Sequence, residues 1–79
     1  MSGVNMRTYV RMIFSTEGAS PEEIVPIMHE LGFEEAFGMH DFQYKWKKQA
    51  EISDVLKLIS KMHKSLKGTQ IRYEVTTVM

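Results

Sequence analysis

An α+β fold, with two helices packed on one face of an antiparallel sheet, is the class this 79-residue chain predicts. Three observations point to it. Apolar and polar residues alternate near both ends, two segments between them repeat with helical spacing, and a glycine-containing turn divides an aromatic stretch lying between the helices. The element order is then strand, helix, hairpin, helix, strand. A chain of this length holds one domain, placed at residues 6–79 behind a flexible tail over 1–5.

The first strand runs from Met6 to Ser15. Thr8, Val10, Met12 and Phe14 share one face, and Arg7, Tyr9, Arg11 and Ile13 share the other. Ser20-Pro21-Glu22-Glu23 then joins a capping serine, a proline at the first helical position and a glutamate three residues after the serine. The helix it starts spans Pro21 to Leu31, with Ile24, Ile27, Met28 and Leu31 as its apolar stripe and Gly32 as its stop. Pro26 inside it removes a bond to the Glu22 carbonyl, which predicts a kink or a loosened first turn.

Phe33 to Lys48 has no helical period and is too long for one ordinary strand. Gly38-Met39-His40-Asp41 supplies a turn, giving strands near Phe33–Phe37 and Asp41–Lys47. In the second of these, Phe42, Tyr44 and Trp46 alternate with Gln43, Lys45 and Lys47. Two lysines do not face a core cheaply, so the three rings face inward. The second helix covers Ala50 to Lys67, with Ile52, Val55, Leu56, Ile59, Met62, His63 and Leu66 on its stripe and Gly68 closing it. The last strand, Gln70 to Val78, turns Ile71, Tyr73 and Val75 inward and Arg72, Glu74, Thr76 and Val78 outward.

This is the βαββαβ order, and right-handed crossovers place both helices on one side of the sheet as in the ferredoxin-like plait. If the hairpin is instead one long strand, the order becomes βαβαβ with a three-stranded parallel sheet. The order resembles that of small plait domains used for amino-acid sensing, RNA binding, metal carriage and subunit assembly. That likeness lies in element order alone and implies no single activity. Metal-carrier plaits use a Cys-x-x-Cys loop, and this chain has no cysteine. Acylphosphatases carry a glycine-rich, arginine-bearing phosphate loop after the first strand, where this chain has Ser15-Thr16-Glu17-Gly18-Ala19.

The absence of cysteine also removes disulfides and thiolate chemistry and fits a reducing compartment. No apolar run approaches the length of a membrane span and the start lacks a secretion signal, so the chain reads as cytoplasmic. Ten basic residues offset ten acidic ones, but unevenly. Glu17 to Glu35 holds six acids and no Lys or Arg, while the rest holds all ten bases against four acids, which predicts an acidic and a basic side.

No catalytic constellation emerges. Glu22, Glu23 and Ser20 are explained by the helix start, and no serine or threonine sits beside an activating base. His29, His40 and His63 lack ligand spacing, so no metal or other cofactor is expected. His29 is expected to be exposed, His63 to be hydrogen-bonded near its helix end, and Asp41 to bond backbone at the turn. Met12, Met28 and Met62 read as core filler; Met1, Met6 and Met79 lie near the ends, and Met39 is the exposed contact.

The candidate site is the open sheet face, with Arg7, Tyr9, Arg11, Ile13, Lys45, Lys47 and Arg72 as its binding residues. The first reading is a non-enzymatic binding and assembly domain. It forms a homodimer through that face, with Tyr9, Ile13 and Val78 as apolar contacts, and takes a small ligand or protein partner. The alternative is single-stranded RNA held on the same basic face with a base stacked on Tyr9.

Overall fold

The computed structural model of the chain describes residues 5–38 and 40–79. The expected tail over 1–5 and the reading of Met39 fall, Asn5 aside, outside those residues. The described chain forms β1 (Arg7–Ile13), α1 (Pro21–Glu30), β2 (Glu34–Glu35), β3 (Phe42–Lys45), α2 (Ile52–Ser65) and β4 (Arg72–Val78). The four strands make one antiparallel sheet in the order β2-β3-β1-β4. The chain therefore does not adopt the three-stranded parallel alternative, because Glu34 and Glu35 pair antiparallel with Gln43 and Phe42, which makes two strands of this stretch.

Alternation along β1 decides the sheet's two faces. Thr8, Val10 and Met12 are buried, whereas Arg11 and Ile13 are exposed and Arg7 and Tyr9 half-buried on the reverse. Val10 and Met12 join Ile24 and Met28 of α1, Phe33 and Phe42, and Leu58, Met62 and Leu66 from α2 and its end in one core. Both helices thus cover the same face. Phe42 is buried, Tyr44 and Trp46 pack against the core, and Lys45 and Lys47 are exposed, the sidedness that alternation predicted.

The ends of α1 follow from local chemistry. The Ser20 backbone N–H and hydroxyl both donate to Glu23 Oε1, each at 3.1 Å, and the Glu23 N–H donates to the Ser20 carbonyl. Helix α1 runs continuously through Pro26, whose ring lies on the exposed side. At the other end the Phe33 N–H reaches the Met28 carbonyl and the Gly32 N–H reaches that of His29, with Gly32 at φ 99°. A Cβ on Gly32 would also meet the Tyr44 ring at 2.9 Å, so glycine is required there twice over. This turn uses the Phe33 backbone for α1 and its ring for the core, which shortens β2 from the expected Phe33–Phe37 to two residues.

Helix α2 starts two residues later than expected, at Ile52, with the Glu51 N–H bonded to Asp54 Oδ2 at 2.9 Å. Its apolar stripe needs correction. Val55, Leu58 and Met62 are its buried residues, whereas Ile52, Leu56 and His63 are exposed. The helix is rolled toward β3, so that Leu58 rather than Leu56 faces the core. Met6, read as a terminal residue, is buried.

Two polar contacts tie the elements together. Thr8 is wholly buried; its Oγ1 accepts the Trp46 Nε1–H at 2.9 Å and lies 2.9 Å from Thr77 Oγ1. Thr8→Val keeps the shape and strands the indole N–H, for which the expected loss is about 1–3 kcal/mol in urea unfolding. A change below roughly 0.3 kcal/mol would show that the network contributes nothing.

On the far edge, His29 Nε2 and Glu35 Oε1 lie 2.7 Å apart, joining α1 to β2. That hydrogen bond, with help from the Glu35 backbone, holds the Glu35 carboxyl below its ordinary value of 4.5. Folding therefore favours the ionised form. The contribution is present above the unfolded-state value and disappears as pH falls through the lowered folded-state value. An NMR titration of the Glu35 carboxyl carbon should give a midpoint below 4.5, and His29→Ala should raise it toward that value.

Candidate functional site

The uncovered sheet face carries six of the seven candidate residues. Strand register sets them in rows: Lys45, Arg7 and Val78 lie side by side, then Gln43, Tyr9 and Thr76, then Arg11 with Glu74, then Ile13 with Arg72. No described element lies over this face. Its charge is more mixed than the strand sequences imply, because Glu34 of β2 adds a carboxylate. Lys45 Nζ lies 3.1 Å from Glu34 Oε1, which also accepts from Gln43 Nε2 at 3.3 Å. Arg11 sits directly across from Glu74. Tyr9 stacks on His40 with ring centroids 4.7 Å apart, so one side of the only aromatic on the three long strands' open face is covered. Lys47 is not part of these rows; it lies beyond the end of β3.

The histidines and Asp41 each have a structural partner. Asp41 Oδ2 accepts the Met12 N–H at 2.7 Å, and the Asp41 N–H donates to the Val10 carbonyl, so Asp41 extends the pairing with β1 beyond Phe42, the first residue of β3. His63 Nδ1 lies 2.9 Å from the Tyr73 hydroxyl. Among the described residues, no three His, Cys, Asp or Glu side chains gather where they could hold a metal ion. No described helix is long and apolar enough to cross a membrane.

Two further surfaces were not singled out by the sequence, and both flank α2. On its β4 side lies an apolar groove of about 420 Å³, lined by Met6, Val55, Leu56, Ile59, Val75 and Met79 among others. Ile52, Leu56 and Met79 are 79%, 57% and 71% exposed around it. The groove adjoins β4, which is hydrogen-bonded to β1 on one side and is the outermost strand on the other. On the β3 side lies a cleft of about 450 Å³ between the 46–50 connection and α2. Tyr44 and Trp46 form its apolar wall, and Lys47, Lys48, Lys57 and Lys61 line it with Asp54 and Leu58. The signal for this cleft was available in part: Asp54, Lys57, Leu58 and Lys61 share one helical face, and Lys47-Lys48 follows Trp46 directly. That α2 brings them opposite one another required the fold.

Comparison with protein-family models, with curated proteins and with solved structures finds no match to this chain.

Proposed function

We propose that the chain is a ferredoxin-like plait that acts as a non-enzymatic assembly module, pairing with a second copy of itself along β4. Support for the plait is the central position of β1 and β3, each linked through one helix to a strand beyond its neighbour, as in a split βαβ arrangement. The pairing rests on the unequal edges of the sheet. Strand β2 is two residues long and both are glutamates, a short charged edge that resists extension. Strand β4 is seven residues long and ends in Val75-Thr76-Thr77-Val78, which carries no charge, proline or lysine to discourage a partner.

A second copy is the occupant that this edge fits best. Antiparallel pairing about a two-fold axis at Val75 sets Glu74 against Thr76, Tyr73 against Thr77 and Arg72 against Val78, so no like charges lie opposite one another. The same axis brings the apolar flank of α2, with Ile52, Leu56 and Ile59, against its copy. Exposed apolar area that a small domain cannot cover alone is thereby buried. The groove favours this edge over the open face as the pairing surface, because the open face is occupied mainly by charged and hydroxyl side chains.

Analytical ultracentrifugation across a wide concentration range tests the proposal. The expected mass approaches twice 9.2 kDa, and Leu56→Glu, an exposed substitution, should weaken association by at least about tenfold. Ile13→Glu on the open face should leave it unchanged. A mass fixed at 9.2 kDa at high concentration would refute assembly, whereas loss with Ile13→Glu alone would return the interface to the open face. Retardation of a single-stranded RNA oligomer that is lost with Arg11→Ala would instead favour the nucleic-acid reading.

A further inference from the structure

The cleft on the β3 side of α2 concentrates four lysines against one acid. Lys47 and Lys48 approach from the connection after β3, while Lys57 and Lys61 lie one helical turn apart on α2, and all four are exposed. The two ion pairs among the described residues, His29–Glu35 and Lys45–Glu34, involve none of them. The acid at the cleft, Asp54, already accepts the Glu51 N–H at the start of α2. Lysines scattered over a solvated helix repel weakly. Here two elements bring them around one concavity, where a multivalent anion would relieve the repulsion.

The opposite wall has a different chemistry. Tyr44 and Trp46 lie with ring centroids 4.7 Å apart and planes at 59°. Both are held from behind: Trp46 by its bond to Thr8, Tyr44 by Phe33 and the close backbone of Gly32. Leu58 adds an apolar side chain between the lysines of α2. An aromatic wall in a cleft that four lysines also line suits a ligand that is flat and apolar at one end and densely negative at the other. The volume, about 450 Å³, lies in the range of small-molecule sites.

We infer that this cleft binds a nucleoside polyphosphate, with its phosphates on Lys47, Lys48, Lys57 and Lys61 and its base against the Tyr44–Trp46 wall. Lysine suits the phosphate end because its ammonium acts as a mobile point charge that tolerates several phosphate positions. Neither the pairing of β4 nor the plait designation enters this inference, since the cleft lies on the other flank of α2.

The test uses the intact chain, whose single tryptophan is the wall residue Trp46. Binding of ATP, tripolyphosphate and adenosine is followed by calorimetry at low salt and by tryptophan emission. ATP should bind and alter Trp46 emission, tripolyphosphate should bind more weakly, and adenosine should not bind measurably. Lys57→Ala with Lys61→Ala should weaken ATP at least about tenfold, while Lys64→Ala with Lys67→Ala, removing equal charge outside the cleft, should change it by less than roughly twofold. Equal losses in the two double variants would reduce the effect to net charge and overturn the site. So would failure of ATP to bind at about 5 mM. Tripolyphosphate binding as tightly as ATP without an emission change would overturn the role of the aromatic wall, and with it the nucleotide.

Discussion

The hydroxyl of Thr8 is the constraint on which most of the molecule depends. It is the polar side chain buried among the core residues, and it sits on a central strand with β3 on one side and β4 on the other. Accepting from the Trp46 indole and bonding Thr77, it ties β1 to β4 and to the residue that follows β3. A buried hydroxyl without partners would be destabilising. With both satisfied, it holds the indole in one orientation and secures the far end of β4. Both proposed surfaces inherit that order: the cleft through Trp46, and the pairing edge through Thr77.

Sidedness was the most legible property of the sequence, because a strand's two-residue period leaves few choices once charged neighbours are considered. Lys45 and Lys47 required Phe42, Tyr44 and Trp46 to turn inward, and Arg7 and Arg11 did the same for Val10 and Met12. The ends of α1 were also visible, since Ser20 with Glu23 and Gly32 act through the nearest backbone groups, whereas α2 starts two residues later than its sequence suggested. What escaped was the length of β2, because the Phe33 N–H is claimed by α1 and no periodicity records that competition.

The roll of α2 escaped for a different reason. At about 100° per residue, its apolar positions from Leu58 through Met62, Val55 and Ile59 to Leu56 cover an arc of roughly 160°. That is wider than the sheet and α1 cover. Periodicity locates the centre of such an arc but does not say which flank remains in water. The structure buries the Leu58 flank and exposes Ile52 and Leu56. The sequence-based site suffered in parallel. The open face was rightly placed for six residues, but its basic character was overstated because Glu34 was assigned to no face and Lys47 was assigned to a strand it lies beyond.

The exposed half of that arc explains why the chain's two surfaces can coexist. On α2, Lys57 and Lys61 point roughly 150° away from Ile52, Leu56 and Ile59, so the helix presents cations on one flank and apolar side chains on the other. Extension of the sheet at β4 therefore consumes only the apolar flank. The lysine cleft, built against β3 on the opposite side, stays open in a paired molecule, and each copy keeps a complete set of its lining residues. Had α2 rolled the other way, burying Leu56 and exposing Leu58, the apolar excess would lie between the lysines and the β3 rings. The edge of β4 would then have no greasy neighbour to favour a partner. One rotation of one helix thus sets the two proposed surfaces on opposite sides of it.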